Sequence, residues 1–334
     1  MPIYFQSRPP LFKLDNPRST IMKFGVYLRG AETYEEMLEL ARAAEALDYF
    51  GIFLNDHVEG LSGDRKEPYW EAWTTMTGIG VETEKIRVGH ITLFNSLRNP
   101  AYLAKSVATL DQMTGGRYEF ILGAGWNEPE YKGYDLMEKG RGMPSAGERV
   151  SRLKESVEIV KGMLHNEVFN YDGRFWKLKD AVNVPQPVRS PFRLSVGARQ
   201  PRMIRITATY ADGINASGNL ENVKRILTEY HKNLEKLDKT VDDVFISGFA
   251  PSVYLMKNED EYEATLRKWR ESGTDITSAR EYDFIGTPEI LVEKWRRVMD
   301  MGMDMSVINV KPFKTLEENK EMLAFFKDQV ASQL

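Results

Sequence analysis

Residues 98–128 read RNPAYLAKSVATLDQMTGGRYEFILGAGWNE, and this run decides the fold. Asn99-Pro100 opens a helix, because the missing N–H of Pro100 costs nothing in a first turn. Leu103, Val107 and Leu110 then fall on one helical face. Thr114-Gly115-Gly116-Arg117 stops the helix, and 118–122 is an apolar strand leaving through Gly123-Ala124-Gly125. Helix, tight turn, strand and glycine-rich exit form one unit of a parallel α/β sheet.

The same unit repeats outward in both directions. Strands are predicted over 22–28, 50–54 and 86–94 on one side, and over 193–196, 212–215, 245–256 and 306–310 on the other. Helical stripes fall between them, over 37–47, 70–81, 150–164, 203–210, 223–237, 259–272, 288–301 and 316–330. Eight strands separated by helices predict a (β/α)8 TIM barrel, for which about 250 residues suffice. An open doubly wound sheet is the competing arrangement. The surplus in a chain of 334 residues has two sources. Residues 169–191 read as a hairpin and a proline-punctuated loop, inserted after the fourth or fifth strand. Residues 1–21 form an irregular arm, in which YFQS resembles a protease-tag remnant and Met22 offers an alternative start. The expected organisation is therefore the arm, 1–21, and a single barrel domain, 22–334.

Composition narrows the function. Lysine and arginine number 45 against 49 acidic residues, a net charge of −4. Nucleic-acid and membrane-surface proteins need a basic face, so neither partner is expected. With no cysteine, disulfide scaffolds, thiolate metal sites and cysteine nucleophiles are excluded. No apolar run approaches the roughly 20 residues of a membrane span, and the start lacks a signal-peptide pattern. A cytoplasmic protein is expected. GAGWNE carries Glu128 where a dinucleotide fingerprint needs its third glycine, and P-loop, HExxH and GxSxG motifs are missing. Four scattered histidines predict no metal centre.

A barrel places its site where strands end. After the second strand comes Asp56-His57, a carboxylate and an imidazole that can hold a polar ring and move a proton, or else a cap and a surface histidine. After the fifth comes Gly197-Ala198, followed by a helix near Pro201 with Arg199, Arg202 and Arg205. A helix N-terminus with guanidinium groups suits a phosphate; the competing reading is a solvated basic face. His90 interrupts an apolar strand, either as a ligand contact or as a satisfied core histidine. Trp70 and Trp73 line the substrate side or belong to the core.

Together, Asn55-Asp56-His57, the runs 98–131, 169–188 and 195–215, and their order resemble the bacterial-luciferase-like flavin and deazaflavin oxidoreductases. The resemblance implies a (β/α)8 barrel with an insertion after strand four or five. It implies hydride transfer with coenzyme F420 and a small organic substrate, or a monooxygenase using O2 and reduced FMN, the latter from a separate flavin reductase. A non-catalytic cofactor-binding relative is the third possibility. The segment 198–203 with Ala211-Asp212-Gly213 looks like the phosphate segment of methanogen-type F420 reductases. Its arginines also suit a phosphodiester and an oligoglutamate tail. By position, Asp56 and His57 lie beside the ring, with His57 as proton donor. His90, Ile91 and Thr92 form a bulge behind the ring, with a non-prolyl cis peptide at His90-Ile91. Gly125, Trp126 and Asn127 contact the cofactor, and Glu128 acts as an acid or base. Gly197, Ala198, Arg199, Gln200, Pro201 and Arg202 hold the phosphate. Trp126 stands where the sugar-phosphate dehydrogenase branch has a catalytic glutamate, which argues against that branch. The resemblance also implies a homodimer formed through the second and third helices.

Overall fold

Eight parallel strands close into a ring. The computed structural model describes residues 21–28, 33–61, 63–273, 284–311 and 315–334. The chain begins β1 (Lys23–Tyr27), α1 (Tyr34–Ala46), β2 (Gly51–Leu54), α2 (Ala72–Val81), β3 (Arg87–His90), β4 (Leu93–Phe94), α3 (Pro100–Met113) and β5 (Tyr118–Gly123). It continues through α4 (Glu128–Gly133), α5 (Ala146–Met163), β6 (Val168–Asp172), β7 (Lys177–Val182), β8 (Leu194–Gly197), α6 (Pro201–Tyr210), β9 (Gly213–Ser217) and α7 (Leu220–Glu235). Last come β10 (Phe245–Leu255), α8 (Glu259–Glu271), β11 (Phe284–Gly286), α9 (Pro288–Asp300), β12 (Met305–Lys311) and α10 (Leu316–Gln329). The ring runs β1-β2-β3-β5-β8-β9-β10-β12 and returns to β1, every pair parallel. This is the (β/α)8 barrel expected from the repeats. Helices bury their apolar stripes on the outer face of the ring.

The interior is filled through a match of large and absent side chains. Phe53 lies across the barrel axis because its neighbours on either strand are glycines. A Cβ at Gly25 would meet its ring at 2.5 Å, and one at Gly89 at 2.6 Å. Tyr27, Ile91, Ile121, Phe245, Met305 and Val307 complete this inner layer. The amino-terminal end of the barrel is closed by charge. Glu119 takes Arg87 at 2.5 Å and Arg189 at 3.2 Å, and pairs with Arg193 as well. Burial opposes ionisation of Glu119, but these three guanidinium groups outweigh it and hold the carboxyl far below the usual range.

The insertion is the antiparallel hairpin β6–β7, and it follows the fourth barrel strand. Glu155 of α5 holds its turn, accepting from the amides of Arg174, Phe175 and Trp176 at 2.9, 2.9 and 3.2 Å.

Three expectations change. The strand expected over 86–94 is two strands, parted by a cis peptide at Ile91–Thr92 and not at His90–Ile91. The Ile91 amide still donates to Leu54 O at 2.7 Å, so the ladder with β2 runs through His90–Ile91 and breaks one residue later. The second helix starts at Ala72 instead of 70, because Glu71 caps it by accepting from Trp73 N and Thr74 N. Finally, α4 and β11 were not expected. The arm over 1–21 lies outside the described residues except for Ile21.

Candidate active site at the carboxyl ends of the strands

The turn after β2 delivers three polar residues to the mouth of the barrel. Asn55 accepts from Tyr69 OH at 2.6 Å. Asp56 is 1% exposed and is turned toward the third strand. Its Oδ2 accepts from the Phe94 amide at 2.8 Å and from Arg98 at 2.5 Å, and its Oδ1 accepts from Arg98 at 3.1 Å. Arg98 also reaches Glu71 at 2.6 Å. Burial works against the Arg98 charge, yet Asp56 and Glu71 push its pKa up. Asp56 is thus the clamp between the second and third strand ends.

His57 is buried, and its Nδ1 lies 2.9 Å and 3.1 Å from the two carboxylate oxygens of Glu130. Glu130 is fully buried and accepts the Val58 amide at 2.8 Å. The exposed Trp126 stands edge-on to the His57 ring at 5.5 Å, and Phe94 lies at 6.2 Å. Among the described residues, Nε2 of His57 has no hydrogen-bond partner.

Glu130 was missed by sequence reasoning, which chose Glu128. Glu128 sits on the surface in an ion pair with Lys132 at 2.7 Å, beside a pocket lined by Arg65, Pro129 and Gly133. Both residues belong to α4, where two positions differ by about 200° around the axis, so one faces in and the other out. The signal was present, since Asn127 with Pro129 two residues on is a helix start.

His90 is also corrected. It is fully buried, stacked on Trp73 with centroids 5.3 Å apart and planes 4° apart. Nε2 donates to Ala72 O at 3.2 Å, which leaves Nδ1 to accept from Tyr118 OH at 2.8 Å. Burial pushes its pKa down to about 4. Both nitrogens are used behind the strand, so His90 packs α2 against the barrel and offers nothing to a ligand at the mouth.

The remaining bulge residues do reach the mouth. Ile91 enters the inner layer, while Thr92 lies between the ends of β5 and β8. A Cβ at Gly123 would fall 2.2 Å from Thr92 Oγ1, and one at Gly197 would fall 2.9 Å from its Cγ2. Gly125 has φ +76°, and a Cβ there would fall 1.9 Å from the Phe94 ring. Asn127 is buried as the N-cap of α4 and makes no side-chain capping bond.

The basic segment divides. Ala198 is buried, and its amide is already spent on Asn215 O at 3.2 Å. Gln200 is the N-cap of α6 without a capping side chain, and Pro201 opens the helix. Among the described residues, the first-turn amides of α6 therefore have no side-chain acceptor. Arg199 is exposed, and its carbonyl accepts from Arg225 at 3.0 Å. Arg202 bonds Gly147 O at 3.0 Å and Ser151 Oγ at 2.7 Å, tying α6 to α5. Asn215, donating to Ser247 Oγ at 3.0 Å, is a further polar group in the barrel that the sequence did not single out. Among the described residues, no three His, Asp or Glu are grouped to hold a metal ion.

Comparison with known proteins agrees with this architecture. The coenzyme F420-dependent tetrahydromethanopterin reductase of Methanopyrus kandleri superposes with a TM-score of 0.73 at 17% identity, covering 94% of this chain and 99% of its own. The EDTA monooxygenase of Chelativorans sp. gives 0.75 at 16% identity, covering 93% of each chain. In sequence, the F420-dependent glucose-6-phosphate dehydrogenase of Microbacterium testaceum is 29% identical over 67% of this chain. That match spans 66% of the relative, just under two thirds of its length. The family described as luciferase-like monooxygenase matches residues 20–307, and the chain belongs to that family.

Proposed function

We propose that this protein is an oxidoreductase that transfers a hydride between coenzyme F420 and a small organic substrate at the barrel mouth. The observation that carries this reading is a continuous path of contacts. His57 meets Phe94, β4 follows Thr92, Thr92 meets Gly197, and Gly197 leads into the uncapped start of α6. A planar ring and a phosphate have places at the two ends of that path.

The residues fit such a cofactor. The first turn of α6 offers unsatisfied amides and the positive end of a helix, which suits a phosphate. Arg199 and Arg205 add charge around it, while Arg202 secures the helix against α5. The contact of Arg225 with the Arg199 carbonyl brings a further guanidinium from α7, and Arg174 stacks on Phe175 at the hairpin turn, beside an Arg152 that is paired with Glu148 at 2.8 Å. Cations reaching beyond one phosphate suit the long anionic tail of F420 better than FMN, and the relatives named for F420 support the same choice. When bound, the deazaflavin supplies the hydride chemistry. The chain's own residues orient and enclose: Thr92 and Ile91 behind the ring, and His57, Trp126 and Asn127 at its side. The relative's sugar phosphate is not carried over, since the resemblance puts Trp126 at the position where it implies a glutamate in that branch.

The second reading is an FMN-dependent monooxygenase using O2 and reduced FMN, the latter supplied by a separate flavin reductase. The family's name and the fold shared with EDTA monooxygenase favour it. A cofactor-binding relative without catalysis is the third. We further propose a single barrel domain over 22–334, a cytoplasmic setting in keeping with the lack of cysteine, and a homodimer through α2 and α3. Trp70, Val81, Tyr102 and Met113 are exposed on that side. No helix among the described residues is long and apolar enough to cross a membrane.

Titration with oxidised and reduced F420 and FMN, followed by cofactor fluorescence, tests the assignment. Micromolar or tighter F420 binding with weak FMN binding is expected. The reverse result transfers the site to FMN, and binding of neither cofactor rejects both.

A further inference from the structure

We infer that Glu130 is a positioning residue that fixes which nitrogen of His57 carries the proton, and so makes the neutral ring a proton acceptor at the barrel mouth. A carboxylate only accepts hydrogen bonds. One oxygen of Glu130 is already committed as an acceptor from the Val58 amide, and both oxygens face Nδ1 of His57 within 3.1 Å. Nδ1 must therefore be the donor. In the neutral ring the lone pair is then on Nε2, the nitrogen with no protein partner among the described residues.

The surroundings leave Glu130 in control of this choice. On the β2 side, Asp56 and Arg98 are paired with each other. Glu59 is paired with Arg65 at 2.7 Å. Tyr134 OH of the turn after α4 is spent on Val58 O at 3.2 Å. The faces of the ring meet Phe94 and Trp126, which carry no charge. Among the described residues, Glu130 is the one carboxylate bonded to the ring. It sits on the element after the fourth strand, whereas His57 follows the second, so the pair also joins two loops of the mouth.

This deepens the proposed function and rests on it for the chemistry. A substrate giving up a hydride and a proton would pass the hydride, with its two electrons, to the cofactor. The proton would pass to Nε2, and the resulting imidazolium is neutralised by Glu130. In the reverse direction the same nitrogen returns the proton.

Nitrogen-15 NMR of the histidine rings tests the inference on the protein alone, without cofactor or substrate. With four histidines in the chain, the signal lost in His57→Asn identifies the ring. At neutral pH, Nδ1 of His57 is expected to be protonated and Nε2 unprotonated. In Glu130→Leu the acceptor facing Nδ1 is gone, so the Nδ1-protonated tautomer of His57 should no longer dominate the neutral ring. A wild-type ring protonated at Nε2 overturns the inference, whether or not the variant folds. So does an unchanged tautomer in a folded Glu130→Leu protein. Failure of F420 to bind would remove the proposed function and leave both readouts intact.

Discussion

His57 and His90 leave adjacent strands, β2 and β3, and meet different surroundings. His57 keeps one nitrogen for the barrel mouth, while His90 spends both on protein and stacks on Trp73. His90 therefore ties stability to pH. Burial lowers its pKa from 6.5 to about 4, so the unfolded chain takes up the proton first as pH falls. The contribution is whole above pH 6.5 and is lost as pH drops toward about 4, roughly 3 kcal/mol in all. In His90→Phe, two hydrogen bonds are lost, and a fall of about 1–3 kcal/mol at pH 7.5 is expected. Because the variant lacks the titrating group, its deficit against wild type should shrink between pH 6.5 and 5. Urea unfolding at both pH values checks this, and a constant deficit would assign the acid sensitivity elsewhere. From the sequence, His90 stood open between ligand contact and core. A histidine in an apolar strand looks the same until the acceptor above it and the hydroxyl beside it are in place.

At the scale of elements, periodicity was informative where segments are long. α3, α5, α7 and α10 each span 14 residues or more, enough turns for a buried stripe to show. α4 spans six residues, too few for a period, and its loss took Glu130 with it. β3 and β4 were merged because a backbone break leaves no mark in an apolar run. The β6–β7 hairpin was legible through its turn, but its anchor was not. Glu155 lies well upstream on α5 and reads as one more acidic residue on a helix. Glu155→Ala should leave three amides of the turn without their acceptor and cost about 1–3 kcal/mol. The loss should stay local, with faster amide exchange at Tyr171 and Leu178 and unchanged exchange in the barrel strands. Equal acceleration throughout would make the hairpin part of the barrel's cooperative unit.

For the whole molecule, Glu119 is the counter-charge that closes the amino-terminal end of the ring. Its partners come from β3 and from the segment entering β8, so one carboxylate links three neighbouring strands. Glu119→Gln should leave three guanidinium groups without their shared anion and cost about 3–5 kcal/mol. A denaturation midpoint that falls with unchanged slope is the expected result, and an unaltered midpoint would show that the arginines are neutralised by other groups. The carboxyl is held below its usual range, so its contribution is present above about pH 4.5 and fades as pH falls further. It therefore adds to the acid sensitivity of His90 in a lower window.

The order and number of the barrel units were decided along the chain, because helix stripes, glycine-proline stops and strand runs are local and repeat eight times. The barrel follows from that repetition, and with it the end of the ring where a site belongs. Which polar groups are available there was decided only by folding. Asp56, Arg202 and Ala198 were expected to meet a cofactor, yet their polar groups are taken by Arg98, by α5 and by Asn215. Glu130, unremarked in the sequence, is the carboxylate bonded to His57. A donor's availability depends on partners brought from distant strands, and closure of the ring is what brings them together.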